Sequence, residues 1–203
     1  MSQMWHSIQK LFSESNNEIV ITPLPDDTFL HNDLDINSQS ILGEILNHIS
    51  SVVINSYFRL LGGGNDELSI KPFNDKVNKI YSGHKIIVAN DIWGGLFAIS
   101  NGDFDGDRRS IWYFAPDLLQ WVDLEINYSQ FIPWICSDEL AAFYSEFMWK
   151  DMNSFISTIK TNEAVLIYPF LWAKECVIET ANKKIVPLME LIEINAEYKN
   201  KIN

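Results

Sequence analysis

The segment Lys85-Ile86-Ile87-Val88-Ala89-Asn90-Asp91-Ile92-Trp93-Gly94-Gly95-Leu96-Phe97-Ala98-Ile99-Ser100 is two short apolar runs around a turn-forming centre. Lys85–Asn90 and Gly95–Ser100, joined through Asp91-Ile92-Trp93-Gly94, read as an antiparallel hairpin. A second pair follows, Ser110–Phe114 and Gln120–Leu124, joined through Ala115-Pro116-Asp117, where proline and aspartate favour a turn. Upstream, Val52–Leu61 reads as one strand that ends at Gly62-Gly63-Gly64, whose freedom at positive φ suits an abrupt change of direction. The centre of the chain is therefore a β-meander, with the acidic segment Asn101–Arg109 as its largest interior loop.

Outward from this centre the period changes. Met4, Ile8, Leu11 and Phe12 fall at helical spacing within Gln3–Phe12, and Glu18–Thr22 is a β-branched run stopped by Pro23 and Pro25. Asp26–Gln39, carrying Asp26, Asp27, Asp33 and Asp35, reads as a surface loop, and Ser40–Ile49 as a short helix or turn with Ser40 as the candidate N-cap. Beyond the meander, Tyr128, Phe131, Ile132 and Ile135, then Leu140, Phe143, Tyr144 and Phe147, mark core-facing helices, with Ser137 as a start signal for the second. Asn153–Lys160 continues helical, Val165–Phe170 and Lys174–Thr180 read as strands, and Ile185–Lys199 as a closing helix with Pro187 in its first turn. The expected fold is α+β: a single domain over 1–203, with a twisted, mostly antiparallel sheet of about five or six strands flanked by helices. Within it, 1–39 holds the first helix, strand and acidic loop, 40–125 the β-rich centre, and 126–203 the helical part.

Composition narrows the function classes. Fifteen basic against 27 acidic side chains give a net charge of −12 over 203 residues, so a polyphosphate would meet repulsion rather than counterion release. No nucleic-acid partner is expected. The apolar share of 47% supports a core without covalent staples, and Cys136 and Cys176 do not make a disulfide framework. Met1–Lys10 lacks the pattern of an export signal, and the longest apolar stretch, Ala164–Ala173, falls short of the roughly 20 residues needed to span a bilayer. A cytoplasmic protein without a membrane partner is expected.

Motifs of chemistry are sparse. Asn101-Gly102-Asp103-Phe104-Asp105-Gly106-Asp107 alternates oxygen donors as a calcium loop does, but Trp112 stands where the closing glutamate would be. It reads as a solvated loop. Gly62-Gly63-Gly64 lacks the lysine and hydroxyl residue of a phosphate loop, and Glu67 occupies the place of a third fingerprint glycine. His6, His31, His48 and His84 stand singly, Cys136 is a small apolar filler, and no nucleophile elbow is present. Asp138 and Glu139 serve a helix dipole rather than acid–base work. No catalytic residue, metal site or cofactor is expected. Of the seven tryptophans, Trp93 sits in the hairpin turn, where core or turn packing is favoured and the alternative is an exposed indole suited to a partner surface.

Phe58-Arg59-Leu60-Leu61-Gly62, Ile87-Val88-Ala89-Asn90-Asp91 with Gly94–Ile99, Trp112-Tyr113-Phe114-Ala115-Pro116-Asp117 with Trp121, and Phe143-Tyr144 with Trp149 together resemble the bacterial domain of unknown function 2625 family. That resemblance covers about Ser40–Trp149 and implies kinship rather than an activity. This chain has Ala89-Asn90-Asp91 where the family often reads Ala-Asp-Asp. Ile86–Trp149 is also similar to the SUKH superfamily, which implies a SUKH-like twisted sheet and a role like that of its immunity proteins. The resulting expectation is a non-enzymatic protein-binding domain whose acidic surface neutralises a basic toxin, such as a nuclease. Its contacts would be Asp91, Trp93, Asp103, Asp105 and Asp107, with Arg59, Tyr113, Asp117 and Trp121 fixing the fold, Arg59 through a carboxylate. The rival expectation is a small-ligand protein or enzyme with a pocket beside the sheet, where Arg59, Asp91 and Asp117 converge.

Overall fold

The computed structural model of the chain describes residues 2–25 and 36–202. The elements, in order, are α1 (Gln3–Glu14), β1 (Ile19–Pro23), α2 (Ile41–His48), β2 (Ile49–Ile54), β3 (Phe58–Leu61), α3 (Ile70–Tyr81), β4 (Ile86–Asp91), β5 (Leu96–Ile99), β6 (Ser110–Ala115) and β7 (Gln120–Asn127). Then follow α4 (Tyr128–Ile135), α5 (Glu139–Phe143), a 3₁₀ turn (Ser145–Phe147), α6 (Met152–Ile156), β8 (Glu163–Tyr168), β9 (Asn182–Pro187) and α7 (Leu188–Ile202). Strands β1 to β7 form one antiparallel sheet in strict sequence order, and β8 and β9 pair as a separate antiparallel ribbon.

Local chemistry explains most boundaries. Ser2 and Ser40 cap α1 and α2 by accepting from the Trp5 and Gly43 amides at 3.0 Å each. Asn127 closes β7 and opens α4 through a capping box with Gln130. Helix α1 buries Trp5, Ile8 and Phe12 and runs on to Glu14; of the stripe read from the sequence, Ile8 and Phe12 are buried, Leu11 is half-buried and Met4 is exposed.

Several expectations need correction. Among the described residues the main sheet has seven strands rather than five or six, because Val52–Leu61 is two strands. Asn55 and Ser56 take φ of 51° and 62°, and the Tyr57 amide donates to the Ile54 carbonyl, so the chain reverses in a tight turn. Helix α3 occupies a region where no element is expected; it buries Ile70, Phe73, Asn74 and Val77 at helical spacing, and Pro72 is tolerated in its first turn. Lys174–Thr180 is irregular, and the partner of β8 is instead Asn182–Pro187. Ile185–Pro187 thus belongs to a strand, and the closing helix begins at Leu188. Asp26, Asp27, Asp33, Asp35 and His31 lie outside the described residues.

The sheet is covered on both faces. Phe58 and Phe97 meet Phe131 of α4 at ring distances of 6.1 and 5.4 Å, which sets α4 on the face that carries Phe58, Leu60 and Phe97. On the other face Tyr81 of α3 packs on Phe114 and Trp121 at 5.0 and 6.0 Å, and α7 packs against α3. One cross-strand row on this second face runs through all seven strands: Val20, Val53, Arg59, Asn90, Leu96, Phe114 and Trp121 are successive partners. It passes from apolar through polar to aromatic. The polar pair at its centre, Arg59 and Asn90, lies beside the start of α3.

Candidate ligand-binding cleft

A cleft of about 610 Å³ opens over this polar pair. Its floor is Arg59 and Asn90, its walls include Ser50, Ser51, Leu68 and Ser69, and its rim carries Asp66, Glu67 and Lys160. The volume matches that of sites for small metabolites.

Arg59 is the floor's fixed charge. Only 5% of the residue is exposed, and its guanidinium donates to the carbonyls of Glu163 and Lys160 at 2.8 and 3.0 Å. These bonds tie β3 to the start of β8 and fix the plane of the group. A guanidinium carries five N–H donors. Its others make no hydrogen bond to the described residues. Burial pulls the guanidinium down to about 10, against the opposing pull of Asp91 and Glu163, so it remains a cation at neutral pH. The carboxylate partner expected for Arg59 is replaced by two backbone carbonyls.

Asn90 and Ser69 are the uncommon groups. Each is only 1% exposed, and neither the Asn90 Oδ1 nor the Ser69 Oγ has a hydrogen-bond partner. Buried polar atoms are nearly always paired, so two orphans lining one cleft need an explanation. For Ser69 a local cause is visible. It is the N-cap of α3 but makes no cap bond, and the third residue of the helix is Pro72, which has no N–H for a cap to accept. The hydroxyl is thereby left unpaired and, like the Asn90 Oδ1, sealed from solvent.

The triple glycine follows directly on Leu61 of the cleft lining. A Cβ on Gly62 would lie 2.1 Å from the Ile49 carbonyl oxygen, so only glycine lets this loop pass β2. A Cβ on Gly64, at φ 114°, would come within 2.9 Å of the Ser69 Oγ. The glycines thus serve close approach, beyond the strand-ending turn read from the sequence.

Over residues 2–191 the chain matches the family described as "Protein of unknown function DUF2625". The chain belongs to this family. It is 30% identical over 200 residues to "Putative uncharacterized protein YbfG" of Escherichia coli (strain K12), covering 96% of this chain and 91% of that protein. It is 24% identical over 177 residues to an "Uncharacterized protein" of Haemophilus influenzae, covering 84% of this chain and 78% of that one. No solved structure matches at a significant level.

The DUF2625 chain distributes the other sequence-selected residues away from the cleft. Asp91 is fully buried on the opposite face. Its Oδ1 accepts from the Trp93 and Gly95 amides at 2.8 Å each, and its Oδ2 from the Tyr113 and Tyr144 hydroxyls at 3.0 and 2.9 Å. Burial pushes its carboxyl up against the pull of these four donors. Trp93, 1% exposed, stacks on Tyr144 at 4.9 Å, so the core reading of Trp93 holds and the alternative of a surface indole in a partner contact does not. Asp91 and Trp93 are both away from the surface, because the hairpin tip is covered by the segment that carries Tyr144 and Phe147.

The acidic loop is partly structural. Asp103 accepts from the His84 amide, from the Lys85 amide at 2.9 Å and from the Lys85 ammonium at 3.0 Å, which pins the loop to the start of β4. Burial acts against its charge, but these donors outweigh it and hold the carboxyl below the usual range. Asp107 pairs with Arg109 on the surface at 3.3 Å, and Asp105 is exposed. No cluster of three or more His, Cys, Asp or Glu that could hold a metal occurs among the described residues.

Asp117 lies half-buried in the β6–β7 turn, its carboxyl pushed up by burial, and is not part of the cleft lining. Of the trio expected to converge, only Arg59 reaches the cleft. Ser69 and Asn90, by contrast, were invisible as site residues: serine at a helix start reads as a cap, and asparagine in an apolar strand gives no signal of which face it occupies. The nearest available signal for Ser69 was Pro72 three residues on.

Proposed function

We propose that the protein binds a small polar molecule in the cleft over Arg59 and Asn90. The observation that carries this reading is the buried Arg59 guanidinium in the lining of a cleft of about 610 Å³, with N–H donors that no described residue engages. A ligand acceptor that meets those donors gains charge-assisted hydrogen bonds that the described residues leave unmade. Thermal denaturation of the full chain against carboxylates, sugars and nucleosides tests it. A compound that raises the midpoint of the wild type and leaves Asn90→Leu unmoved supports the cleft; equal shifts in both, or no shift with any class, contradicts it.

Toxin neutralisation on a SUKH-like sheet is the second reading, favoured by the net charge of −12 and by exposed acids at Asp105 and Asp107. It no longer draws on Asp91 or Trp93, which are buried. Protection against a basic toxin that is lost in Asp105→Lys with Asp107→Lys would favour it, and unchanged protection would remove the loop from that role.

A further inference from the structure

Resting on the cleft reading, we propose that the ligand is a monocarboxylic acid with an unbranched apolar tail of medium length. Its head group follows from the cation in the lining. Arg59 is buried, and two of its N–H groups are committed to the Glu163 and Lys160 carbonyls. Its Nε–H makes no hydrogen bond to the described residues and, unlike the Asn90 Oδ1 and the Ser69 Oγ, is not sealed from solvent. A planar carboxylate can take this N–H and a neighbouring one side by side, in charge-assisted bonds that a neutral ligand does not make. One ligand charge is what the surroundings balance. Asp91 and Glu163 already act on the guanidinium, Asp66 and Glu67 stand at the rim, and Glu67 holds Lys76 at 2.6 Å. A second negative charge, on a dicarboxylate or a phosphate monoester, would meet those acids with Lys160 as the other cation of the described lining.

The tail follows from the row in which the cation stands. Val53 is the cross-strand partner of Arg59, and Val20 that of Val53, so the three share one face of the sheet. Val53 lines the cleft half-buried, and Val20, on the edge strand β1, is 56% exposed. Apolar surface thus leads from the buried cation to the sheet edge over two strand spacings, about 10 Å, the reach of a chain of about eight carbons. Leu68 adds a half-buried apolar side chain to the wall. A tail lying there takes from water apolar surface that the fold leaves open. The path is narrow, because Thr22 and Ser51 are partners in the next row of the same face and also line the cleft. A branch on the tail would press on their hydroxyls, so an unbranched chain fits best.

Calorimetric titration of the full chain with butyrate, hexanoate, octanoate, hexanamide, suberate, inorganic phosphate, D-glucose and adenosine tests the inference. Octanoate is expected to bind at least ~10-fold more tightly than butyrate, because each methylene that leaves water adds to the affinity. Suberate, as long as octanoate but doubly charged, and hexanamide, the neutral counterpart of hexanoate, are each expected to bind at least ~10-fold more weakly than the matching monoanion. Arg59→Met should weaken octanoate by at least ~10-fold. Val20→Ser changes an exposed side chain at the sheet edge and so keeps the fold; it should lower the preference for octanoate over butyrate by ~3-fold or more, and it decides alone where Arg59→Met does not fold. Equal binding of butyrate and octanoate, suberate or phosphate as tight as octanoate, hexanamide as tight as hexanoate, a preference unmoved by Val20→Ser, or no heat from any acid up to ~10 mM overturns the inference. Glucose or adenosine binding that disappears in Asn90→Leu would overturn the acid while leaving the cleft reading intact. No heat from any probe would overturn both.

Discussion

At Asp103 a single carboxylate holds the largest interior loop of the meander. Its donors are two backbone amides and the buried Lys85 ammonium, and the carboxyl is held below its ordinary range. Because the folded value is depressed, its stabilisation is present above the unfolded value near 3.9 and is lost as pH falls through the folded one. Asp103→Asn is therefore expected to lower stability at pH 7 by about 2 kcal/mol and to change little once both forms are uncharged at low pH; urea denaturation at the two pH values reads this. The two N-cap serines make a contrasting pair. Ser40 accepts from the Gly43 amide, so Ser40→Ala should cost about 1 kcal/mol, whereas Ser69→Ala should cost close to nothing because no cap bond is lost. A cost of a full cap at Ser69, measured by the same denaturation, would mean that its hydroxyl bonds the helix in solution.

Elements show how one unusual residue decides a boundary. In the β2–β3 turn Ser56 adopts φ 62°, a region where a β-carbon is crowded, and Ser56→Gly should raise stability by about 1 kcal/mol. In the β4–β5 turn the logic reverses. A Cβ on Gly95 would stand 2.1 Å from the Asp91 Oδ2 and 2.6 Å from the Tyr113 hydroxyl, so Gly95→Ala should cost more than about 3 kcal/mol and open the Asp91 cluster. The same scale separates what the sequence made legible from what it hid. The β4–β5 and β6–β7 pairs were readable because each has apolar runs flanking a turn signal, and α4 because its stripe repeats at helical spacing. The β2–β3 turn hid inside Val52–Leu61 because Asn55-Ser56-Tyr57 interrupts the apolar run by only two polar residues. Helix α3 hid behind Pro72 and a run of polar residues, since four buried positions alone carry its stripe. Trp93 offered two readings because a turn is usually exposed, and only the tertiary cover from Tyr144 and Phe147 decides for burial.

Across the whole molecule the cleft exists because the meander is joined to a later ribbon at one buried point. Arg59 bridges β3 to residues 160 and 163, more than a hundred positions away in sequence, and such convergence leaves no trace in local patterning. Removing the bridge should act at that distance: Arg59→Met is expected to cost about 3 kcal/mol and to speed amide exchange in β8 more than in β5. The central row of the second face thus does two jobs, packing Phe114 and Trp121 under α3 and presenting Arg59 and Asn90 where α3 begins. That the second job is ligand recognition is tested most directly by the Arg59 Nε–H signal in a ¹H–¹⁵N NMR titration of the full chain with carboxylates, sugars and nucleosides. Saturable movement of that signal, together with the Asn90 side-chain amide, on addition of one of these classes is the expected result. Signals at both positions that stay fixed with every class, or movement confined to other parts of the chain, would contradict it.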